Sequence, residues 1–267
     1  MNSKLKEKLT KKTKERVAKA FETKDVHLIK AVSLIDELDK MINLISENTR
    51  EWYGMHFPEL NSLVEDNETY LKLVLLGDRK NFTEKKVLEI FNNAEKAKTI
   101  EKKAKISMGS EIETESLKQI INLAEKGIEI KKTRNEITSF IEKGMKEILP
   151  NFTELAEPLI GARILAKAGS IRKLALMPSS TVQLLGAEKA LFSHIKSGSK
   201  PPKYGFIYNH PLLKQVKRKE QGKLARSIAG KLTIAVRKDF FGSKEKGTKD
   251  LQEKLEKRIQ ELNKEKK

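Results

Sequence analysis

The sequence contains no cysteine, one tryptophan and four histidines, and it has no long apolar run. Without cysteine there is no disulfide, no thiolate metal ligand and no thiol nucleophile. No histidine lies three or four residues from another, so a zinc site is not expected. No apolar run approaches the roughly 18 residues that span a bilayer, and the lysine-rich N-terminus does not look like a secretory signal. These absences predict a soluble intracellular protein without metal or cofactor.

The sequence also lacks the short motifs of common enzyme classes. No GxSxG, phosphate-binding loop or GxGxxG pattern is present. The run from Gly186 to Lys189 is similar to the end of a phosphate loop, but the upstream glycine and the preceding strand are missing. Carboxylates are abundant only on helix faces that we expect to be solvated. The sequence therefore predicts a protein that is not an enzyme.

Positive charge is what the chain has in excess. Lys and Arg number 55 and Asp and Glu 37, which gives a net charge of +18. The surplus is uneven, because residues 161–242 carry 17 basic and 3 acidic groups whereas residues 25–160 carry 20 and 25. A surplus of this size favours a polyanionic partner, either nucleic acid or an anionic membrane face.

Helical periodicity predicts an all-α fold. From residue 27, apolar residues recur at alternating spacings of three and four, which is a heptad seam. A helix is predicted to open near Asn81 and fade near residue 105, and a longer one to run over 111–149, with the turn at Gly109. We expect these two to form a long antiparallel coiled-coil hairpin that packs against a second copy of the chain. The residues predicted to make this homodimer contact are Leu28, Ile35, Leu38, Ile42, Ile45, Leu117, Ile121 and Ile128.

The composition changes after Pro150, where small apolar residues increase and acidic residues almost disappear. Further helices are predicted at about 153–168, 170–176, 181–196, 211–217 and 220–240. The last should bury a face formed by Leu224, Ile228, Leu232, Ala235, Val236 and Phe240. The predicted domains are a basic lead-in (1–24), a coiled-coil dimerisation domain (25–150), an RNA- and protein-binding domain (151–242) and a lysine-rich disordered tail (243–267).

The segment from Ser179 to Arg226 combines basic, aromatic and amide side chains. Lys and Arg attract phosphates, while aromatic, Asn and His side chains recognise unstacked bases. The candidate RNA-binding residues are Lys189, Phe192, Lys200, Lys203, Asn209, His210, Lys217, Arg218, Lys219, Lys223 and Arg226. Phe206 and Tyr208 alternate with Ile207 and fit a buried core as well as a stacking role, and Phe192 also allows both interpretations.

Parts of the chain closely resemble the Nop family, the scaffold proteins of archaeal-type box C/D guide-RNA particles. The resemblance covers about residues 25–242. It is carried by Gly161-Ala-Arg163, Lys167-Ala-Gly-Ser170, the run from Leu174 to Phe192, Pro202-Lys-Tyr-Gly205, Gly222-Lys-Leu-Ala-Arg226 and Ala229-Gly-Lys-Leu232, with Leu34-Ile-Asp-Glu-Leu-Asp39 and the run from Arg50 to Leu60 in the coiled-coil region.

The resemblance implies an all-helical protein whose coiled coils pair two copies and whose Nop domain follows them. That domain would sit on a composite surface of a box C/D guide RNA kink-turn and a small kink-turn-binding protein. A separate N-terminal domain of the family recruits fibrillarin, which transfers methyl from S-adenosylmethionine to a ribose 2′-hydroxyl. The scaffold positions that enzyme and has no catalytic residues of its own.

The resemblance also implies roles for individual residues. Gly186, Ala187 and Glu188, with Lys189, match the family signature at the junction of RNA and protein. Residues 190–192 match the segment that approaches the guide–substrate duplex, although Ser193 stands where the family often has arginine. Asn209 and His210 match the polar end of the aromatic strip, and either could take the RNA-contacting role. Lys223 and Arg226 match basic positions in the following helix.

Only about 24 residues precede the coiled-coil region, so we expect the fibrillarin-recruiting domain to be absent from this chain. In an archaeal cell the particle would be cytoplasmic, and eukaryotic relatives would be nucleolar. Two alternatives remain. One is a Nop-domain scaffold of a spliceosomal particle, which the signature from Gly186 to Lys189 disfavours. The other is a structural coiled-coil protein whose basic half has generic affinity for nucleic acid.

Overall fold

A computed structural model describes residues 3–21, 23–242 and 247–264. All the regular secondary structure in these residues is helical. The all-α prediction is therefore confirmed. The chain divides into two compact units, one formed by residues 34–137 and the other by residues 1–33 together with 138–267. This division falls within two long helices rather than at the predicted boundary near residue 150. Among the described helices, none is both long and apolar enough to cross a membrane.

The described residues form fourteen α-helices, of which α2 and α7 are by far the longest, with 31 and 35 residues. The helices are α1 (Ser3–Phe21), α2 (Lys24–Gly54), α3 (Pro58–Leu63), α4 (Asn67–Val74), α5 (Glu84–Ile90), α6 (Ala94–Lys105), α7 (Thr114–Ile148), α8 (Pro150–Ala156), α9 (Pro158–Ala168), α10 (Ile171–Leu176), α11 (Ser179–Leu184), α12 (Glu188–Ser197), α13 (Gln221–Phe241) and α14 (Lys249–Lys264). Three short 3-10 helices are Arg79–Asn81, Phe206–Asn209 and Pro211–Gln215.

In the unit of residues 34–137, α2 and α7 lie side by side in opposite directions. The guanidinium of Arg134 on α7 binds both carboxylate oxygens of Asp39 on α2, at 2.9 and 3.3 Å. Farther along, Gly127 lies so close to Ile45 that a Cβ atom at residue 127 would be 3.0 Å from the Ile45 Cγ2 atom. Because residue numbers rise along α2 as they fall along α7, the helices form an antiparallel pair.

The helix that pairs with α7 is not the one that the sequence pattern predicted. The stretch from residue 84 to 105 is two short helices, because Asn93 starts a new helix by accepting a hydrogen bond from the Lys96 N–H at 3.0 Å. The buried side chains of α6, among them Ile100, join the core formed by the short helices. The prediction that the helix of residues 81–105 pairs with the following long helix is therefore wrong. The antiparallel partner of α7 is α2.

Helices α3 to α6 enclose their own apolar core between the end of α2 and the start of α7. Tyr53, Phe57 and Tyr70 are fully buried there. The Tyr53 hydroxyl donates a hydrogen bond to the Gly77 carbonyl oxygen at 2.6 Å. Burial is the main reason that the pKa of Tyr53 is raised well above its ordinary value, so the hydroxyl stays a donor.

In the other unit, α13 is the central helix and contacts α8, α10, α11 and α14. Five of the six residues in its predicted buried face are fully buried, whereas Phe240 is 39% exposed. Near its end, the Asp239 carboxylate accepts hydrogen bonds from the backbone N–H groups of Asn151 and Phe152 at 3.1 and 2.8 Å. This carboxylate satisfies donors at the start of α8, which have no partner within their own helix.

The prediction of a disordered C-terminal tail is wrong for residues 249–264, which form α14. Leu251, Leu255, Ile259 and Leu262 are buried, and their spacing of four, four and three places them on one face. That face packs against α13. The high lysine content suggested disorder, but four apolar residues on one face are sufficient to dock the helix. The rest of the predicted tail, residues 243–246 and 265–267, lies outside the described residues.

Candidate nucleic-acid interface

The family-like signature begins in a tight turn between α11 and α12. Gly186 has a φ of +93°, a left-handed conformation that favours glycine. The ring of Phe206 packs on it so closely that a Cβ atom at residue 186 would be 2.7 Å from the ring. Phe206 is therefore half-buried against the turn. The sequence allowed Phe206 to be either a core residue or a residue that stacks on a base, and the structure supports the core position.

Two backbone hydrogen bonds join this turn to the aromatic segment 204–209. The Gly205 N–H donates to the Gln183 carbonyl at 2.9 Å, and the Phe206 N–H donates to the Leu185 carbonyl at 2.8 Å. The chains approach so closely that a Cβ atom at residue 205 would lie 1.9 Å from the Leu185 carbonyl oxygen. Only glycine fits there, so the turn and the aromatic segment form a single surface.

Glu188 is the acidic residue of the signature, and its carboxylate is satisfied within the protein. It accepts a hydrogen bond from the Gly186 N–H at 2.9 Å and pairs with the Lys167 ammonium at 3.3 Å. Burial alone would raise the pKa of Glu188, but the Gly186 N–H and the Lys167 ammonium outweigh it, and the pKa lies below its ordinary value. The carboxylate therefore stays ionised and shapes the turn, while its charge is balanced by Lys167.

Helix α12 presents cationic and apolar side chains to solvent. None of its residues is fully buried, and Lys189 is exposed. Phe192 and Ile195 are 69% and 71% exposed. The pattern Leu191-Phe192 allowed either a core or a surface position, and the structure places Phe192 on the surface.

Asn209 and His210 lie in quite different environments. His210 is buried, its Nε2 atom is 2.7 Å from the Leu155 carbonyl oxygen, and its Nδ1 atom accepts from the Leu212 N–H at 3.3 Å. Nε2 is therefore the protonated nitrogen, and burial lowers the pKa of the ring. Asn209 is exposed. Both ring nitrogens of His210 are occupied inside the fold, which disfavours it as an RNA-binding residue, and of the two alternatives only Asn209 is exposed.

The remaining basic candidates are exposed. They are Lys200, Lys203, Lys217, Arg218, Lys219, Lys223 and Arg226. The three acidic residues between 161 and 242 are all engaged with protein groups: Glu188 with Lys167, Glu220 with Lys223 at 2.9 Å, and Asp239 with the start of α8. The segment therefore presents almost pure positive charge, which is what binding to phosphates requires.

A model of the Nop family, described as "snoRNA binding domain, fibrillarin", matches residues 34–261. The chain belongs to the Nop family. The match extends through most of α14, in agreement with the ordered helix seen there.

Relatives show the same membership. The chain is 44% identical over 254 residues to an uncharacterised NOP5 family protein of Methanocaldococcus jannaschii, covering 95% of this chain and 61% of that protein. It is 41% identical over 241 residues to Nucleolar protein 58 of Homo sapiens, covering 89% of this chain and 45% of that protein. The chain therefore spans less than two thirds of either relative. A crystal structure of a fibrillarin/Nop5p complex shares the fold, with a TM-score of 0.52, 23% identity, and coverage of 98% of this chain and 80% of that chain.

Two features that lie beside the Nop signature were not predicted from the sequence. One is the ion pair of Lys167, a residue that the sequence places in another helix, with Glu188. The other is a stacked pair formed by Tyr204 and Tyr208, whose ring centroids are 5.3 Å apart. Their spacing of four residues was visible in the sequence, but a spacing alone does not show that two rings share an exposed face.

Four of the eight residues that were predicted to pair two copies of this Nop protein are buried within the single chain, and the other four are half-buried. Leu28, Ile35, Leu38 and Ile42 are buried within the single chain. Ile45, Leu117, Ile121 and Ile128 are half-buried, and Leu117 and Ile128 pack on the core of the short helices. The buried half of the predicted seam therefore packs within the chain, and the half-buried residues stay a prediction for contact with a second copy. Met41 and Leu44, two of the exposed apolar side chains of α2, lie outside that seam.

Proposed function

We propose that this chain is a non-catalytic scaffold of a box C/D ribonucleoprotein. It binds a kink-turn guide RNA together with a small kink-turn-binding protein, and it positions fibrillarin for ribose 2′-O-methylation. The observation that carries the proposal is the coincidence of the Nop signature with one cationic surface, formed by α12, the segment 199–209 and the start of α13. The family description, "snoRNA binding domain, fibrillarin", supports the same function.

The chemistry of this surface suits a folded RNA. Lys189, Lys203 and Arg226 supply cations for phosphates, which would give the binding its strength and salt dependence. Asn209 can exchange two hydrogen bonds with a base edge, and Phe192 can contact an unstacked base. No acidic side chain between 161 and 242 lacks a protein partner, so repulsion of the phosphates is small.

A small kink-turn-binding protein would add a second contact surface to the same complex. Once the chain has bound one component, contact with the other becomes effectively intramolecular, so two moderate contacts give one tight complex. The turn from Gly186 to Glu188 is suited to this junction. Its carboxylate is neutralised by Lys167, and the turn itself is held rigidly by Phe206.

Self-association is part of the proposal, but through a surface different from the predicted seam. Met41 and Leu44 are 53% and 60% exposed on α2, and the half-buried Leu34 lies seven residues before Met41. This spacing places all three on one side of the helix, a pattern typical of a surface that contacts another helix. We propose that a second copy of the chain covers it.

The proposal also includes fibrillarin as a partner and a cellular location for the particle. The description of the family model names fibrillarin, and the solved structure that shares the fold is a complex of fibrillarin with Nop5p. The human relative is nucleolar by name. We propose the cytoplasm for an archaeal particle, as the resemblance implied.

A titration of two RNAs tests the proposal. One RNA contains a box C/D kink-turn, and in the other the unpaired nucleotides of the kink are base-paired while the length is kept. We expect the chain to prefer the kinked RNA by about tenfold or more at physiological salt, since kink-specific contacts add to the shared phosphate contacts. Equal affinity for both RNAs, with a steep loss at high salt, would instead support a structural protein with generic affinity for nucleic acid.

A further inference from the structure

Tyr204 and Tyr208 form a stacked pair of rings in the segment between α12 and α13. The ring centroids are 5.3 Å apart and the planes differ by 16°, which is an offset-stacked geometry. Neither this pair nor its orientation is required by the contacts proposed above for Lys189, Asn209 or Arg226.

The inner ring of the pair is fixed by a short chain of hydrogen bonds. The Tyr204 hydroxyl donates to the Gln221 Oε1 atom at 3.1 Å, and the Gln221 Nε2 group donates to the Leu213 carbonyl oxygen at 3.1 Å. Tyr204 is half-buried. The ring is therefore held at the start of α13 and cannot turn freely.

The outer ring of the pair is open to solvent although the residue before it is fully buried. Tyr208 is 59% exposed, whereas Ile207 beside it is fully buried and anchors the 3-10 helix. An apolar ring facing water costs free energy unless something covers it. Because Tyr204 occupies one face of Tyr208, the face left for a partner is the opposite one.

We propose that this Tyr204–Tyr208 stack is a platform for one unpaired nucleobase of the bound RNA, which continues the stack on the outer face of Tyr208. The proposal rests on the RNA-binding function proposed above and adds a base-stacking site to it. A base within a duplex has both faces covered, so only an extruded or terminal base offers a free face. The exposed Lys203 and Asn209 flank the two tyrosines in sequence, and a cation and an amide suit the phosphate and the base edge of such a nucleotide.

The charge of the surroundings favours a nucleotide over an apolar protein side chain. Residues 161–242 carry 17 basic and 3 acidic groups, and the acidic groups are engaged within the protein. An apolar partner would leave this charge uncompensated, whereas a nucleotide brings both an aromatic face and a negative charge. Stacking on tyrosine does not require a particular base, so the site should select for an unpaired nucleotide rather than for its identity.

Photocrosslinking and affinity measurements on the full chain test this site. The probe is the kink-turn RNA with 5-iodouridine at one unpaired position at a time, irradiated with the wild-type chain, Tyr208→Phe or Tyr208→Ala. We expect one position to crosslink to residue 208 in the wild type and in Tyr208→Phe, which keeps the ring. Tyr208→Ala should lose that crosslink and bind the RNA roughly 5- to 150-fold more weakly, which corresponds to the ~1–3 kcal/mol of a base–aromatic stack. The fully paired RNA should bind Tyr208→Ala and the wild type equally.

The outcomes separate this site from the function on which it rests. If Lys189→Ala and Arg226→Ala weaken kink-turn binding but Tyr208→Ala does not, the platform is wrong and the RNA-binding function stands. If Tyr208→Phe loses as much affinity as Tyr208→Ala, the hydroxyl rather than the ring is responsible, and stacking is refuted. An effect of Tyr208→Ala that appears only with the small kink-turn protein, without a crosslink to RNA, would make Tyr208 a protein contact and also overturn the proposal. If the wild-type chain does not prefer the kinked RNA, the proposed RNA-binding function itself is contradicted, whatever Tyr208 does.

Discussion

Replacing Gly205 with alanine should separate the signature turn from the aromatic segment. The added Cβ atom would lie 1.9 Å from the Leu185 carbonyl oxygen, which is far inside contact distance. The segments must move apart, and the hydrogen bonds from Gly205 to Gln183 and from Phe206 to Leu185 are then lost or stretched. Two backbone hydrogen bonds at about 1 kcal/mol each, with about 1–3 kcal/mol for crowding, give a destabilisation of about 3–5 kcal/mol.

Hydrogen–deuterium exchange measures this local loss directly. Peptides covering residues 179–209 should exchange about 30-fold faster for each ~2 kcal/mol of lost protection. Binding to the kink-turn RNA should weaken by about fivefold or more, the loss of a single ~1 kcal/mol base contact, because the two halves of the surface no longer share one geometry. Gly230→Ala in the middle of α13 is the matched control. A Cβ atom at residue 230 meets nothing within 4 Å. This change should leave RNA binding unchanged and stabilise the helix by up to about 1 kcal/mol.

Wild-type exchange and wild-type RNA affinity in Gly205→Ala would refute the close contact at this glycine. Faster exchange without any change in RNA affinity would refute its link to binding, because the surface would then not depend on the joined turn. Thermal unfolding followed by circular dichroism shows whether the substituted chain remains folded as a whole.

Four further substitutions test separate features of the molecule. Lys189→Ala should reduce the slope of log affinity against log salt by about 0.7–0.9, and an unchanged slope would remove this phosphate contact. Burial lowers the pKa of His210 in the folded chain, so stability is full above the ordinary histidine pKa of ~6.5 and falls as the pH drops below it, because the unfolded chain takes up the proton. The fall in stability between about pH 7 and pH 5, followed by urea unfolding, should be smaller in His210→Gln; an identical fall would mean that another group is responsible. Ile42→Asp should unfold the helix pair, since Ile42 is 7% exposed. Leu44→Asp should keep the fold and shift sedimentation towards the monomer, and a persistent oligomer would exclude this surface as the contact.

The helical fold could be predicted from sequence because most of its helices carry a clear apolar face. The prediction of the buried face of α13 was correct at five of six positions. Apolar residues that repeat at helical spacing lie on one side of the helix, and that side is the one that is buried. Phe240 was the exception. It belongs to the last turn of the helix, where it is 39% exposed and its ring packs edge-on against Phe241.

The pairing of the long helices could not be predicted, because a heptad seam does not identify its partner. The seam of α2 was assigned to a second copy of the chain, while the structure satisfies it with α7, a helix about a hundred residues away in the sequence. Helix α14 was missed for a related reason. Average composition suggested disorder, but four leucine and isoleucine residues on one face were enough to dock it.

The candidate site was predictable in its charge and in its family signature, but not in its geometry. Asn209 and His210 are adjacent and both polar, so only the fold reveals that the histidine is used internally. The Tyr204 ring of the stacked pair is likewise held by a hydrogen bond to Gln221, a residue that lies beyond two short 3-10 helices and a turn. Interactions of this kind link distant positions, which no local pattern encodes.

The composite surface of RNA and a small protein is tested most directly by one affinity measurement. The chain is titrated onto the kink-turn RNA alone and onto the same RNA already saturated with the small kink-turn-binding protein. We predict that the small protein tightens binding by about tenfold or more, since the second contact becomes intramolecular. Identical affinities with and without the small protein would contradict the composite surface.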